Sequence, residues 1–267
     1  MGTRDMSTWE TAICKVVSHD GEEEIVVRGH RMSELIGTVS FADMMFLMLQ
    51  GKLPTPAQAR VLDALLVASI EHGIAPPSMV SRCFASYGTA IQTAVGGGIL
   101  AFGDRMGGLG EQLARLMVER LAALGDPAAL DDRALDREAQ DVVAQAQRDG
   151  TRVPGYGIPL HGADPRAPAV LRVAREMGCF GVYCRFGMAL EQALAQARGG
   201  RVVPMNIDGV SAVVALDLGF DWRATRMFLL TPRSVSMGAH FLEEQAQDTT
   251  WRHIRAEQID YTGKDPA

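Results

Sequence analysis

Two periodicities divide the chain. Over residues 11–29, TAICKVVSHDGEEEIVVRG, two β-branched runs flank Asp20-Gly21, a pair suited to a type I′ turn, and this stretch predicts a short hairpin. A lone hairpin is marginal in water, so it must pack on something larger. Beyond it the apolar spacing is helical. Ser40 with Asp43 three residues on resembles a capping box ahead of MMFLML. Thr55-Pro56 with Gln58 marks a second start, and Leu62, Leu65, Leu66 and Ser69/Ile70 keep one face until Glu71-His72-Gly73, where Gly73 suits a C-cap.

Residues 78–102 are small and weakly polar, ending in TAVGGGILAFG. Glycines inside a helical pattern cost about 1 kcal/mol each against alanine, tolerable where another helix or a ligand packs closely. A phosphate loop is the sharper reading of GGG, but no strand precedes it and no GK[ST] follows. Leu109, Leu113, Leu116 and Leu121 mark another helix. Residues 125–137 read as a polar loop with a charged helix start, followed by a helix over about 138–148 and the loop VPGYGIPLHGADPR, 153–166. Asp164-Pro165 then begins a helix, Leu190–Ala197 lies in another, IDGVSAVVALDLG forms the next, and the last spans roughly 224–245 before a polar, partly extended tail. The pattern is that of an almost all-α protein with one N-terminal hairpin.

Composition agrees: 47% of the 267 residues are hydrophobic and only 6% aromatic, as in a helix-rich globular chain of one large domain or two modest ones. The net charge of −6, with no basic stripe interleaved with aromatics, argues against nucleic acid as a partner. An acidic ligand must then be held by a few local arginines. Cys14, Cys83, Cys179 and Cys184 show no metal-ligand or CxxC spacing and read as free buried thiols in a reducing cytoplasm. No run reaches the ~18 apolar residues of a membrane span, and the polar MGTRDMSTWE lacks a signal-peptide core.

Few residues can carry chemistry. Of six histidines, His19 and His30 read as solvated or surface, and His240 as buried on the last helix. His72 stands at a helix carbonyl end, which favours a protonated imidazole, and His161 sits in the glycine loop. No HxxxH or HExxH occurs, so no catalytic zinc is expected. Asp104, Asp164 and Asp208 have special settings: Asp164 before Pro is most simply an N-cap, and Asp208 is either a cap or a base at the mouth of a cleft. Arg105, Arg166 and Arg233 stand beside turn residues, where arginines bind carboxylate or phosphate more often than in solvated runs.

In order along the chain, EHG at 71–73, GDRMGG at 103–108, PGYG…DPR at 154–166, NIDG at 206–209 and PRSVSMGAH at 232–240 resemble the citrate synthase superfamily. The likeness is nearest to citryl-CoA lyases and the citryl-CoA lyase module of ATP-citrate lyase. It implies a mostly α, citrate synthase-like fold: a large helical domain, 1–106 with 206–267, and a smaller one, 107–205, closing a cleft. It implies a homodimer or homotetramer acting on small-molecule acyl-CoA and carboxylate substrates, with coenzyme A thioester as substrate and no metal or redox cofactor. Val153, Pro154, Gly155, Tyr156 and Gly157 would hold coenzyme A largely through backbone, which can approach a flat base only where side chains are absent. Arg166 and Arg233, with Arg105, would bind substrate; His72 would hydrogen-bond the hydroxyl or carboxylate of a citryl group; Asp208 would work at the thioester α-carbon. The implied reaction is reversible cleavage of a citryl-CoA-like 3-hydroxyacyl thioester to acetyl-CoA, or a related acyl-CoA, and a keto acid such as oxaloacetate.

Two positions depart from the superfamily pattern. Gly107 stands where citrate synthases have a histidine supporting the enolate, as it also does on the lyase side. Ile158 stands where the pattern GxGH has a histidine donor. A missing general acid costs about 10²–10⁴ in rate. Three explanations stay open: the substrate presents an apolar group to Ile158, His161 supplies the proton, or catalysis is lost and the chain is a CoA-ester-binding or regulatory homo-oligomer.

Overall fold

The computed structural model describes residues 9–19, 21–157, 164–247 and 250–264. Strands β1 (Cys14–His19) and β2 (Glu22–Val27) pair antiparallel from Cys14 opposite Val27 to His19 opposite Glu22, and Gly21 takes the left-handed conformation at φ +84°. Gly21 thus lies in the connection where the pattern predicted a turn, and Asp20 lies outside the described residues. A third strand, β3 (His30–Arg31), pairs with Val26-Val27 and turns the expected hairpin into a three-stranded sheet. Two residues carry no readable periodicity, which is why the pattern missed it.

The rest is helical. After the single turn α1 (Met32–Leu35), α2 (Phe41–Gln50) opens on the expected capping box: Ser40 Oγ accepts the Asp43 amide at 3.1 Å and the Asp43 carboxylate accepts the Ser40 amide at 2.8 Å. Thr55 and Gln58 exchange the same kind of bonds at the start of α3 (Pro56–Ser69). α4 (Pro76–Ser86) and α5 (Ile91–Leu100) pack as a pair. The GGG run lies inside α5: a Cβ on Gly97 would overlap the Phe84 ring and one on Gly98 would lie 2.6 Å from the Met237 sulfur. Close packing therefore accounts for it.

α6 (Leu109–Leu124) is followed by α7 (Asp132–Arg148), which begins six residues before the expected 138. Asp131 caps it through the Ala134 amide at 2.8 Å, and its charged first turns disguise a helix whose buried face is Leu135, Glu138, Ala139, Val142 and Val143. α8 (Arg166–Glu176), α9 (Val182–Ala197), α10 (Ile207–Asp217) and α11 (Met227–Ala246) complete the order. Asp217, at the end of α10, accepts the amides of Gly181, Tyr183 and Cys184 at 2.8–3.0 Å and so caps α9 from a distance. Helix α11 carries Pro232 in its interior.

The described residues fall into two compact units, Met1–Ala68 with Leu109–Phe228 and Ser69–Gly108 with Leu229–Ala267. The division expected from sequence groups the chain differently, above all at α10. That helix is buried from Gly209 to Leu216 and packs on α6, α8 and α9 within the first unit. The core of this unit includes Phe46, Leu113, Met117, Phe186, Leu190 and Val213, with Phe220 edge-on to Phe46 and Phe228 at ring distances of 4.9 and 4.7 Å. In the second unit, Ala85, Ala94 and Phe241 gather with Phe84. No helix among the described residues is long and apolar enough to cross a membrane.

Candidate functional site

In the first unit the site is built around the start of α10. Asn206 is its N-cap: Oδ1 accepts the amides of Asp208 at 3.0 Å and Gly209 at 3.1 Å. The same side chain turns outward from the helix, and Nδ2 donates to the Gly157 carbonyl at 2.9 Å. Two backbone bonds complete the seam, Asn206 N to Gly155 O at 3.0 Å and Gly157 N to Pro204 O at 2.8 Å. The 153–157 loop and half-buried Asp208 are thus held as one piece.

Glycines make the approach possible. Gly155 and Gly157 have φ of +82° and +81°, and a Cβ on Gly155 would lie 2.8 Å from the Gly209 Cα. A Cβ on Gly209 would overlap the Gly155 carbonyl, and one on Gly110, at the start of α6, would lie 2.7 Å from the Asp208 carbonyl. Tyr156 anchors the loop from within, its hydroxyl donating to Gly187 O at 2.8 Å. Burial pushes this phenol well above its usual range, helped by the nearby Glu191, so it is a neutral anchor. A cavity of about 150 Å³ borders Val153 and Pro154, with Arg120, Gln145, Asp149 and Arg152 in its wall.

Arg166 opens α8, and its guanidinium forks onto Asp164, Nε to Oδ1 at 2.9 Å and Nη2 to Oδ2 at 2.7 Å. Asp164 also accepts the Arg166 amide at 3.0 Å, so it serves the helix start from one residue before Pro165, the cap position itself. Ile158 and His161 lie outside the described residues.

In the second unit the segment after α3 and one face of α11 form a charged cluster. The helix stops at Ser69, three residues before His72, contrary to the expectation that His72 ends it. The reason is Glu71: its Oε1 accepts the amides of His72 at 2.7 Å and Gly73 at 2.6 Å, a local bonding pattern that replaces helix bonds. Arg233, Ser236 and His240 lie at i, i+3 and i+7 on α11. Arg233, 6% exposed, donates through Nε to Ser69 O at 2.8 Å, and its Nη1 is 3.9 Å from Glu71 Oε1. The Ser236 hydroxyl donates to Glu71 Oε2, which lies 3.3 Å from His240 Nε2.

Behind this face Arg82 meets His240 Nδ1 at 3.2 Å, Glu243 and Glu244 at 2.6 Å and Gln247 at 2.9 Å, while Arg252 pairs with Glu244. Glu71, Arg82, His240 and Glu243 line a cavity of about 850 Å³. Burial raises the Glu71 carboxyl, but the Ser236 hydroxyl, the two amides and His240 outweigh it and hold the group below its ordinary value. Burial likewise raises Glu244, and Arg252 and Arg82 more than reverse it.

Asp104 and Arg105 stand exposed at the tip of a tight turn closed by Gly103–Met106 backbone bonds of 2.9 and 3.0 Å. Gly107 has φ +79°, and a Cβ there would lie 2.5 Å from Phe102 and 2.7 Å from Leu229, so no histidine fits without rearrangement. The cysteines are unpaired, but only Cys184 is buried; Cys14 is exposed and Cys83 and Cys179 are half-buried, a correction to four buried thiols. Among the described residues no group of three His, Cys, Asp or Glu could hold a metal ion.

Sequence reasoning missed Glu71, Arg82, Glu244 and Asn206. The i, i+3, i+7 spacing of Arg233, Ser236 and His240 was a usable sign of one polar face on an apolar helix.

The order and setting of these motifs agree with the family comparison, in which residues 54–256 match the model for the citrate synthase C-terminal domain. The chain belongs to the citrate synthase family. It is 31% identical to a solved citryl-CoA lyase from Hydrogenobacter thermophilus, with a TM-score of 0.84 over 97% of this chain and 96% of that one. An ATP citrate lyase from Methanothrix soehngenii, solved with citrate and coenzyme A, shares the fold at a TM-score of 0.79 and 18% identity, over 98% of this chain and 43% of that one. The glyoxysomal citrate synthase of Cucurbita maxima is 26% identical over 79% of this chain. The chain spans 39% of that protein's length, and 49% of a putative citrate synthase 2 from Mycobacterium tuberculosis, 25% identical over 72% of this chain.

Proposed function

We propose that this chain is a carbon–carbon lyase acting reversibly on a citryl-CoA-like thioester. The observation that carries the reading is the seam in the first unit: Asp208, in the first turn of α10, is fixed to a glycine loop of left-handed backbone through the Asn206 side chain. Half-buried Gly157, which carries no side chain, leaves room for the flat adenine end of coenzyme A against the loop, and a carboxylic acid held beside that loop suits the thioester α-carbon. The near full-length likeness to a citryl-CoA lyase supports the lyase direction.

In this reading the tertiary hydroxyl, hydrogen-bonded by His72, loses its proton as the carbonyl forms. The bond between the carbinol carbon and the thioester α-carbon breaks, and its electron pair passes into the thioester enolate. Asp208 in its acid form protonates the α-carbon, releasing acetyl-CoA and a keto acid; the hydroxyl proton passes to water, and one proton taken from water returns Asp208 to its acid form, so the cycle balances. Arg233 binds substrate carboxylate, with Arg105 and Arg166 as further binding groups and the 153–157 loop as the coenzyme A site. Ile158 favours a substrate with an apolar group at that position, His161 being the alternative donor. The exposed Leu100, Val235 and Leu242 support assembly of the second unit into a homo-oligomer.

Mass spectrometry of the purified chain with citryl-CoA tests the proposal by appearance of acetyl-CoA and oxaloacetate. Asp208→Asn is expected to bind CoA esters normally and to lose at least about 10² in kcat, the scale of general acid–base catalysis. A chain that binds CoA esters but turns over neither citryl-CoA nor less polar analogues is the binding or regulatory homo-oligomer, the second reading that Ile158 supports.

A further inference from the structure

One carboxylate joins the two parts of the second unit that carry His72 and Arg233. Glu71 Oε1 takes the main-chain amides of His72 and Gly73 at 2.7 and 2.6 Å. Its Oε2 takes the Ser236 hydroxyl of α11 and faces His240 at 3.3 Å. Arg233, one helical turn before Ser236, sends Nε to the Ser69 carbonyl at 2.8 Å and Nη1 towards Glu71 at 3.9 Å. The His72 backbone and the Arg233 guanidinium are therefore both referenced to residues 69–71.

We propose that Glu71 is a positioning residue, which fixes the main chain of His72 and the side chain of Arg233 in register with each other. The proposal rests on the citryl-CoA reading for what His72 and Arg233 do, though not for the register itself. A carboxylate suits the task in two ways. Its two oxygens offer about four acceptor sites, enough for two amides and a hydroxyl at once. Its charge also offsets that of Arg233, and a buried guanidinium without a countercharge is costly. The groups facing it are Arg233, Ser236 and His240 of α11 and the His72-Gly73 backbone, with Arg82 of α4 behind His240. Held below its ordinary value, Glu71 is anionic at neutral pH.

Glu71→Ala removes acceptor and charge. Glu71→Gln keeps one oxygen for the two amides, and its NH₂ can donate to the Ser236 oxygen, but the charge is gone. Two measurements on the full chain separate the possibilities. Without any ligand, the His72 and Gly73 amide resonances of ¹⁵N-labelled wild type should shift as Glu71 protonates, at a pH below the ordinary value of a glutamate. They should stay still in Glu71→Gln. With citryl-CoA, Glu71→Ala should lower kcat/KM about 100-fold, the scale of a misplacement near 1 Å, and Glu71→Gln should recover roughly tenfold of that. Amides indifferent to pH in wild type overturn the register whether or not the chain turns over. Titrating amides with kcat/KM of Glu71→Ala within threefold of wild type overturn the positioning role. Titrating amides in a wild type that neither binds nor cleaves citryl-CoA support the register and bring down only the citryl-CoA reading.

Discussion

Asn206 does two separable things, and two substitutions pull them apart. Its Oδ1 caps α10 and its Nδ2 holds Gly157, the last described residue of the glycine loop. Serine is as good a cap as asparagine, but its shorter side chain has no second arm to reach Gly157. Asn206→Ser should therefore lose one hydrogen bond, worth about 1 kcal/mol, and Asn206→Ala should lose about 1 kcal/mol more with the cap. For a chain of this size that translates to a fall in Tm of about 2–4 °C for serine and about 4–8 °C for alanine. If the loop binds coenzyme A through its backbone, its freedom must be removed again on binding. The same 1 kcal/mol then reappears as roughly a fivefold weaker Kd for acetyl-CoA in both variants. Differential scanning calorimetry and isothermal titration read the two effects independently. A serine variant that binds acetyl-CoA as tightly as wild type, while melting earlier, would refute the idea that the seam serves the loop and leave it only a structural bond.

Two further expectations follow from the packing and the charge cluster. A methyl group at Gly209 would overlap the Gly155 carbonyl, so Gly209→Ala should destabilise by about 1–3 kcal/mol and weaken coenzyme A binding as the loop is displaced; urea unfolding and the same titration check both. Glu244 is 2% exposed, and its folded-state carboxyl is lowered because Arg252 and Arg82 more than offset burial, so its stabilising contribution is present above its unfolded value near 4.3 and is lost as pH falls through the lower folded value. The urea-unfolding free energy of wild type should fall on acidification below about pH 4.3, and Glu244→Gln should make that slope shallower; an unchanged slope would remove Glu244 from the account.

How much of this was legible in the sequence depended on the range over which each feature is encoded. The capping box at Ser40, the Thr55-Pro56 start, the hairpin register around Gly21 and the α10 start at NIDG are written within four residues, and the structure carries each where the pattern put it. The start of α7 was missed because its first turns are charged on the exposed side and only Leu135 betrays the buried face. The start of α9 was missed because its cap, Asp217, arrives from 33 to 36 residues away. The candidate site divides along the same line. Glycines at 155 and 157 stand out because positive φ restricts the residue type locally. The Arg82–Glu244 and Glu71–Ser236 contacts join residues more than 160 positions apart, and nothing local marks either partner.

That difference also bears on Ile158. A loop that binds through backbone can change its side chains freely, provided the left-handed positions stay glycine and the seam to Asn206 survives. Both conditions hold up to Gly157, whose amide and carbonyl are each spoken for, by Pro204 and by Asn206. Position 158 itself lies outside the described residues, so the exchange of histidine for isoleucine is weighed by its chemistry alone. It removes a donor and adds apolar volume. In a decayed enzyme the costly parts would be expected to drift first: a glycine packed against another backbone, or a buried arginine held by an acidic neighbour. Gly155 is packed against Gly209 and buried Arg233 lies beside Glu71, as the proposed binding and carboxylate recognition would need. In the proposed reading a single exchange of a donor for an apolar side chain is what a change of acyl group asks for, and turnover of less polar citryl-CoA analogues in place of citryl-CoA is the result that tells altered substrate from lost chemistry.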